Sequence, residues 1–548
     1  MVQGAQMKRL TIGIVVLLFI AGLVIPRRAL ATTYYIAANG SDSNNGTSKT
    51  TPWLHAPGMT GCAVTCASTT PQPGDSLIFR GGDTWHYGNS GLTPYVGGTS
   101  PHWNFSWSGT STNCNLDASA GAIVKTSCIY IGVDQTWYSG NSWARPIMNA
   151  DNPQTTSRPS SCTYDQDGHN FLFIHSYTIV DNFEWLGWCW NSTPNAAVIT
   201  YMGTMAEVTN NYFHAWTYGS GSNDDEFVMV SCNGTGCTGA EITDHNVFDG
   251  SDASLGGLNS GTASGKAVGT SSEVAYNVFW QISNGDVAGT GGLKSVHDNL
   301  FYYLVEPQGG VHGNIIEWLG QGSSACTYLY NNLSYVTNEG EGYDMYTGTG
   351  GCAYVFNNIS WLYRANLTDP PTNGTNGSNC FMEEVSGVFY FFNNTIDSPC
   401  GWNGLRGSPN MVLQNNHFIG LSNIVSFAAT PGTVTDNGNE VFQSESAANA
   451  QGYTPSNNYA PTSSSGASVG AGANLNAFCG GIGDSVAAAA CVDGYGGVTY
   501  NQTNHTVVAN TAVPRPASGS WDAGAYQFSS ASVSGQPSPP SDLTAIVQ

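Results

Sequence analysis

The chain has 548 residues, of which 9% are charged and 41% hydrophobic, and its 37 Asp and Glu far outnumber its 14 Lys and Arg. A net charge of −23 argues against binding to nucleic acid or to an anionic membrane, since like charges repel. The richness in Gly, Asn, Ser and Thr favours strands and turns and argues against a helical bundle.

The N-terminus has the order of a secretory signal. Lys8 and Arg9 precede an uncharged apolar run over residues 10–26, and the small-residue pattern Ala29-Leu30-Ala31 follows. This order predicts a signal peptide over residues 1–31 rather than a transmembrane anchor, because the run is short and a cleavage pattern follows it. Its removal leaves 10 Lys and Arg against 37 Asp and Glu, a net charge of −27. We therefore expect a secreted protein with no membrane span in its mature form.

The 14 Cys all lie after this segment. An even number of Cys in a secreted chain favours disulfides, and a zinc site is disfavoured because the CxxC spacing with His partners is missing. Sequence leaves the connectivity open, but pairing of neighbours would give Cys62/Cys66, Cys114/Cys128, Cys162/Cys189, Cys232/Cys237, Cys326/Cys352, Cys380/Cys400 and Cys479/Cys491.

A short phrase recurs through the middle of the chain: an alternating strand, a polar corner containing Asn, and a second apolar strand. The corner Asn of the copies are Asn211, Asn246, Asn277, Asn299, Asn332, Asn358, Asn394 and Asn416, with a degenerate copy at Asn182. A period of about 20 to 36 residues indicates a solenoid. Asn tolerates a left-handed backbone, and Asn side chains stacked about 4.8 Å apart would form an amide ladder.

Three further segments carry a family resemblance. They are the opening strand at residues 34–47, the turn at residues 73–85 and the closing segment at residues 515–528, which contains Arg515, Trp521 and Tyr526. Together with the repeat they resemble secreted proteins of the pectate-lyase-like superfamily. The resemblance implies an all-β, right-handed parallel β-helix with loop insertions. It implies no single activity, because the superfamily holds lyases, hydrolases, epimerases, adhesins and phage tailspikes.

The organisation expected from these features has five parts. They are the signal peptide (1–31), an N-terminal cap with the first turns (32–170), regular rungs (171–445), a looser closing region (446–528) and a flexible Ser/Pro-rich tail (529–548).

Charged residues concentrate in the segments between the Asn corners, which we expect to form one sheet. The eight aligned stretches contain Asp225-Glu226, Lys266, Asp286, Glu306 to Gln308, Asp344, Glu383-Glu384, Arg406 and Ile424 to Phe427. A glycoside hydrolase needs two carboxylates about 5 to 9.5 Å apart, for which Asp286, Glu306, Asp344, Glu383 and Glu384 are the candidates. The alternative to any such role is a solvated ion pair between rungs.

A lyase would instead need a basic residue together with Ca²⁺ or another group that neutralises the substrate carboxylate. Lys266 and Arg406 are candidates for the base, and Asp225, Glu226 and Glu383 for the metal ligands. A second row at the start of the repeated phrase contains Glu207, Glu241, Glu273 and Lys294, the last two as stacked neighbours.

Lys294 with Asn299 faintly resembles the calcium-dependent alginate and chondroitin lyases of this fold, although the expected Arg is missing. His312 is either a general acid or base or a corner residue. The signatures of polygalacturonases and pectate lyases are absent. Trp103, Trp107, Trp185, Trp188 and Trp190 could stack on sugar rings, but core packing is the preferred interpretation.

Two functional hypotheses remain. The first is a secreted, monomeric, carbohydrate-active enzyme, either a lyase or a glycosidase, acting on a polysaccharide. The second is a non-catalytic glycan-binding rod or adhesin. The acidic charge favours neutral glycans, or acidic ones if Ca²⁺ bridges the repelling charges.

Overall fold

The structure is a computed structural model of the chain. It describes residues 31–529 except 99, 112–126, 154–158, 167, 192–196, 219–227, 233–239, 252–265, 270–271, 283–286, 289–292, 305–314, 320–323, 338–342, 347–349, 364–381, 398–409 and 421–432. The predicted signal peptide and tail therefore lie outside the described residues, apart from Ala31 and Ser529. Among the described helices, none has the length and apolar character that crossing a bilayer would require.

Three long sheets form the body, and every strand in them pairs in parallel with its neighbours. Sheet 1 consists of Thr33–Ile36, Ser76–Gly81, Ile129–Tyr138, Thr178–Asp181, Glu207–Thr209, Ile242–Asp244, Glu273–Ala275, Ser295–His297, Cys326–Tyr330, Cys352–Phe356, Val388–Phe392, Asn410–Gln414 and Thr433–Asp436. Sheet 2 consists of Trp103–Phe105, Leu172–Ile174, Ala197–Tyr201, Val228–Cys232, Lys266–Val268, Val287–Ala288, Ile316–Leu319, Tyr343–Tyr346 and Met382–Ser386. Sheet 3 consists of Thr84–His86, Ile147–Asn149, Glu184–Leu186, Tyr212–His214, Val247–Asp249, Val278–Trp280, Leu300–Leu304, Leu333–Thr337, Ile359–Tyr363, Thr395–Asp397, His417–Ile419 and Val441–Gln443.

Successive strands of a rung pass through sheet 2, sheet 1 and sheet 3, as Leu172–Ile174, Thr178–Asp181 and Glu184–Leu186 do. Each strand then pairs with the equivalent strand of the next rung, which is the geometry of a parallel β-helix. The fold predicted from the repeat is confirmed.

Alternation along each strand separates the interior from the surface. In sheet 3 the second residue of each strand points inward, and Phe213, Phe248, Phe279 and Phe301 stack one above another with ring centroids 4.8 to 5.2 Å apart. The residues on either side of each Phe therefore point outward. This alternation decides which polar side chains of sheet 3 can line a surface groove.

The predicted amide ladder is present at the corner between sheets 1 and 3. Each of the eight Asn side chains is fully buried. Each donates through Nδ2 to the Oδ1 of the next, as Asn332 does to Asn358 at 3.0 Å, until Asn416 bonds the carboxylate of Glu440.

The left-handed backbone falls one residue earlier than the sequence suggested. Positive φ occurs at the residue before each ladder Asn, for example Asn210, His245, Tyr276 and Asp298. In the degenerate copy, Asn182 occupies this preceding position and Phe183 stands where the other copies have the ladder Asn. The left-handed position points outward and varies in type, whereas the ladder position points inward and needs an amide.

Neighbouring Cys pair as expected wherever both partners are described: Cys62–Cys66, Cys162–Cys189, Cys326–Cys352 and Cys479–Cys491. Cys128 and Cys232 are also disulfide-bonded, while their predicted partners Cys114 and Cys237 lie outside the described residues, as do Cys380 and Cys400.

The remaining elements are short. They are the helices Val64–Ser68, Glu445–Ala450, Asn476–Cys479 and Ser485–Cys491, a 3₁₀ turn at Pro455–Asn457, a parallel pair of Cys189–Trp190 with Thr217–Tyr218, and an antiparallel hairpin of Val498–Asn501 with Thr506–Ala509.

The closing region returns along the solenoid instead of merely covering its end. Tyr453, Tyr459 and Tyr495 pack on the outer face of sheet 3, and Phe478 packs on Tyr390 of sheet 1. The hairpin Val498–Asn501/Thr506–Ala509, called the C-terminal hairpin below, thereby reaches the N-terminal half of the helix and forms one wall of a groove there.

Candidate functional site

The charged residues predicted to share one sheet do so wherever the structure describes their backbone. Lys266, Asp344, Glu383 and Glu384 all belong to strands of sheet 2. A register irregularity between the strands Tyr343–Tyr346 and Met382–Ser386 sets both Glu383 and Glu384 opposite Asp344 in the backbone ladder. The side chains of these four residues lie outside the described part of the structure, as do Asp225, Glu226, Asp286, Glu306, His312 and Arg406.

One member of the aligned row is corrected. The strand of sheet 2 between Val287–Ala288 and Tyr343–Tyr346 is Ile316–Leu319 and not the stretch that contains Glu306. The preceding strand of sheet 3 runs on to Leu304, so the chain needs further residues before it returns to sheet 2.

The second predicted row divides into two registers. Glu207 lies opposite Ile242, Ile242 opposite Glu273, and Glu273 opposite Ser295, so Glu241 and Lys294 fall one residue earlier than the column of Glu207. Glu273 therefore lies directly opposite Ser295, one residue from the predicted neighbour Lys294. Glu273 accepts from His297 Nε2 at 3.2 Å, and Lys294 is exposed.

The aromatic candidates serve the core. Trp103, Trp185, Trp188 and Trp190 are buried, which confirms packing as their role and argues against stacking on a sugar.

A polar groove of about 1140 Å³ lies along the corner between sheets 1 and 3. Its floor is made by outward-facing residues of consecutive rungs, and its walls are the segment around Trp143 to Arg145 and residues 503–507 of the C-terminal hairpin. The ionisable and aromatic groups that line it are Trp143, Arg145, Asp181, Glu184, Tyr212, His214, His245, Asp249 and His505.

Three aromatic rings are stacked along the floor. The ring of Tyr212 lies between those of His214 and His505, with centroid separations of 4.2 and 4.1 Å. His214 Nε2 is 2.9 Å from Glu184 Oε1, on the neighbouring strand of sheet 3. This carboxylate and imidazole form a pair suited to proton transfer.

A hydrogen-bonded chain joins the floor to the C-terminal hairpin. The Tyr500 hydroxyl lies 2.6 Å from Asp249 Oδ2 and 2.8 Å from His505 Nδ1. The carboxylate is the stronger acceptor, so Tyr500 donates to Asp249, and His505 Nδ1–H donates to the Tyr500 oxygen. In this tautomer His505 Nε2 carries a lone pair. Burial lowers the pKa of His505, which keeps the imidazole neutral and able to accept a proton.

Arg145 fixes the position of the hairpin. Its Nη1 donates to the Asn504 carbonyl at 3.2 Å and its Nη2 to the His505 carbonyl at 3.0 Å. Burial lowers the pKa of the guanidinium, and the carboxylate of Glu184 opposes this shift. A positively charged side chain thus holds the segment that carries His505 against the helix.

Asp181 is an acceptor in the groove whose partners are structural. Its Oδ2 accepts from Tyr130 at 2.5 Å and its Oδ1 from Asn210 Nδ2 at 2.8 Å. It therefore supports the floor and is a poorer candidate for acid–base chemistry than Glu184, Asp249 or His505.

The predicted calcium site stays a prediction. Within the described residues, no three His, Cys, Asp or Glu side chains converge as metal ligands would. The predicted ligands Asp225 and Glu226, and the Glu383 side chain, fall outside that part of the chain.

Sequence reasoning missed this groove because its parts are distant in the chain. Tyr500 and Asp249 are 251 residues apart, and Arg145 and His505 are 360 apart. The available signal was the pattern Tyr212-Phe213-His214 and Val247-Phe248-Asp249, in which polar residues sit on the outward side of sheet 3 strands.

Comparisons with known proteins concern the architecture. No protein family and no curated protein matches the chain. Among solved structures, pectate lyase Pel9A matches 91% of this chain and 97% of its own at 13% identity, with a TM-score of 0.37. A rhamnogalacturonan lyase matches 75% of this chain and 87% of its own at 12% identity, with a TM-score of 0.36.

XylC in complex with xylose matches 76% of this chain and 86% of its own at 12% identity, with a TM-score of 0.37. At these identities the likeness is one of fold, and activity has to be inferred from the groove. The chain is a parallel β-helix protein.

Proposed function

We propose that the protein is a secreted enzyme that cleaves an extracellular polysaccharide in the groove between sheets 1 and 3. The observation that carries the proposal is the neutral His505, whose Nδ1–H is bonded to Tyr500 and whose Nε2 can accept a proton beside Glu184–His214 and Asp249. Polar side chains that converge in an elongated cleft suit a hydroxyl-rich chain.

Secretion is supported by the disulfides, which persist in oxidising compartments. A net charge of −27 after signal removal favours a neutral glycan over a polyuronate. The single fixed cation that lines the described groove is Arg145, and it is engaged by backbone carbonyls.

Both reactions considered for this fold need a base of this kind. A hydrolase uses it to take a proton from the attacking water, and a lyase uses it to take the proton next to a uronate carboxylate. The charged row on sheet 2, with Lys266, Asp344 and Glu384, remains a second proposed location for the same chemistry.

The test is an activity screen of the mature protein on neutral and acidic polysaccharides, with Ca²⁺ and with chelator. New reducing ends without the ultraviolet absorbance of an unsaturated uronate indicate a hydrolase, and both signals together indicate a lyase. Binding without either signal would favour the non-catalytic glycan-binding alternative and overturn the proposal.

Variants then separate the two locations. His505→Ala should lower kcat by about 10²- to 10⁴-fold if the groove is the site, whereas Lys266→Ala and Asp344→Asn should do so if the row on sheet 2 is. His175→Ala is the matched control, since this histidine is partly buried and does not line the groove.

A further inference from the structure

His245 occupies the place where two cavities meet. It lines the groove described above and also a second cavity of about 600 Å³, which continues along the same corner past Tyr276 and Asp298 beneath the closing region. A chain-like ligand that extends from one cavity into the other would pass this imidazole. His245 is therefore placed to act on the middle of a bound polymer.

The orientation of His245 is set by its neighbour in sequence. Its Nδ1 lies 2.7 Å from Asp244 Oδ2, and Asp244 is 2% exposed. The ring also stacks on Tyr276, with centroids 4.9 Å apart. A carboxylate that accepts Nδ1–H leaves Nε2 as the nitrogen that exchanges protons with a ligand, which is the arrangement of an oriented acid–base histidine.

A third residue lies behind this pair. Glu207 is 1% exposed and lies beside Asp244 on the adjacent strand of sheet 1. Among the described residues, Glu207 Oε2 and Asp244 Oδ1 are buried carboxyl oxygens with no donor of their own. Two buried carboxyl groups at close range avoid repulsion when they hold one proton between them.

Burial, and then the charge of Asp244, raise the pKa of Glu207 well above its usual range, which makes Glu207 the member of the pair that holds the proton more tightly. The charged groups around the pair have both signs. Asp181 and Glu273 lie on neighbouring strands of sheet 1, and Glu241 precedes the strand of Asp244. His297 bonds Glu273 and is a cation, because its bonds to Asp298 and Glu273 outweigh burial and raise its pKa to about 9.

We propose that His245 is a catalytic proton donor of the groove, oriented by Asp244, and that Glu207 and Asp244 form a proton-sharing carboxyl pair that supports it. The inference rests on the proposed polysaccharide cleavage. It assigns the general acid to His245, where the proposed function already assigns the general base to His505.

The proton balance closes for both reactions. In hydrolysis the water oxygen bonds the anomeric carbon, His505 takes one water proton, and the electron pair of the broken C–O bond stays on the leaving oxygen. In elimination His505 takes the carbon-bound proton, a C=C bond forms and the C–O bond to the leaving oxygen breaks. In either case His245 Nε2 supplies the proton to that oxygen, and both histidines return to their starting state by exchange with solvent.

Kinetics test the role of His245 on whichever polysaccharide the screen identifies. His245→Gln should lower kcat by about 10²- to 10⁴-fold with KM changed by less than a few fold. Asp244→Asn should lower kcat similarly, because the amide can present N–H to Nδ1 and invert the tautomer. His175→Gln is the matched control. A His245→Gln variant that folds and retains kcat would overturn the proposal.

Spectroscopy tests the carboxyl pair without any substrate. Infrared spectra at neutral pH should show a carboxylic-acid C=O band that Glu207→Gln removes and that is separate from the band of Glu440, whose pKa burial raises to about 8. ¹⁵N NMR should show His245 protonated at Nδ1. An infrared spectrum that Glu207→Gln leaves unchanged, or a neutral His245 protonated only at Nε2, would refute the arrangement. A wild-type protein inactive on every glycan would refute the proposed function and leave these spectra to decide the pair separately.

Discussion

Tyr500 on the C-terminal hairpin donates a 2.6 Å hydrogen bond to Asp249 on sheet 3, and so joins two segments that are 251 residues apart. The bond both closes the groove and sets the tautomer of His505, which bonds the same hydroxyl. Assembly of the candidate site thus requires that the closing region has already docked.

Tyr500→Phe should therefore weaken both the packing of the C-terminal hairpin on sheet 3 and the enzymatic activity. Loss of the hydroxyl removes the donor to Asp249 Oδ2 and leaves the bonds that Oδ1 accepts from Ser251. We expect a loss of about 1–3 kcal/mol in the free energy of unfolding. Urea unfolding measures it, with Tyr138→Phe as the control because that ring is 39% exposed. Equal stability of the two variants would contradict a structural role for this bond.

Arg145→Met should loosen the C-terminal hairpin without unfolding the helix. The variant loses the bonds to the carbonyls of Asn504 and His505, so amide hydrogen exchange over Val498–Ala509 should become faster. Lys49→Met is the control, since its ion pair with Asp134 is on the surface and contributes about 0–1 kcal/mol. Unchanged exchange in the hairpin would show that Arg145 does not hold it.

Asn332→Ala should destabilise the helix strongly. Its amide is fully buried, donates to Val296 O and Asn358 Oδ1 at 3.0 Å, and accepts from Asn299. Removing it leaves buried groups unpaired, for which we expect a loss of about 2–4 kcal/mol. Asn437→Ala, at an exposed position, should change stability by less than about 0.5 kcal/mol. Thermal unfolding of both variants makes the comparison.

Glu440→Gln should make stability less sensitive to alkaline pH. Burial raises the pKa of Glu440 to about 8, against the bonds from Asn416 that lower it. A raised carboxyl pKa means that the folded state holds the proton more tightly, so stability is lost as pH rises from about 4.5 to about 8.

The neutral amide of the variant has no such loss. At pH 9 we expect Glu440→Gln to exceed the wild type by about 1–3 kcal/mol, with little difference at pH 4. Urea unfolding across this range measures the effect. A constant difference between the two proteins at all pH values would show that Glu440 does not titrate there.

The architecture could be predicted because each rung carries its own copy of the same short sequence pattern. A single copy of the phrase around Asn246 is weak evidence, but eight copies with the same flanks specify stacked rungs and buried amides, as the structure has them. The same pattern could not show which of two adjacent corner residues turns the chain, since Asn occurs at both, as at Asn210 and Asn211.

The groove could not be predicted for the opposite reason. The positions of its acid–base candidates depend on one contact between Asp249 and Tyr500. The repeat pattern of the sequence contains no sign of this contact. The charged row on sheet 2 was found from periodicity, yet even there Ile316–Leu319 replaced the expected stretch, because the spacing of one rung departs from its neighbours.

The returning segment also determines how such a protein can evolve. Open solenoids can gain or lose a repeat because each repeat contacts only its neighbours. Here Arg515 bonds the side chain of Asn357, and the C-terminal hairpin bonds Arg145 and Asp249, which lie several rungs closer to the N-terminus. One continuous segment of the closing region is therefore attached to the helix at two places separated by several rungs. Duplication of a rung between these attachment points would displace one end from its partners. The number of repeats in that interval is fixed, and variation is confined to the loops and to the rungs outside it.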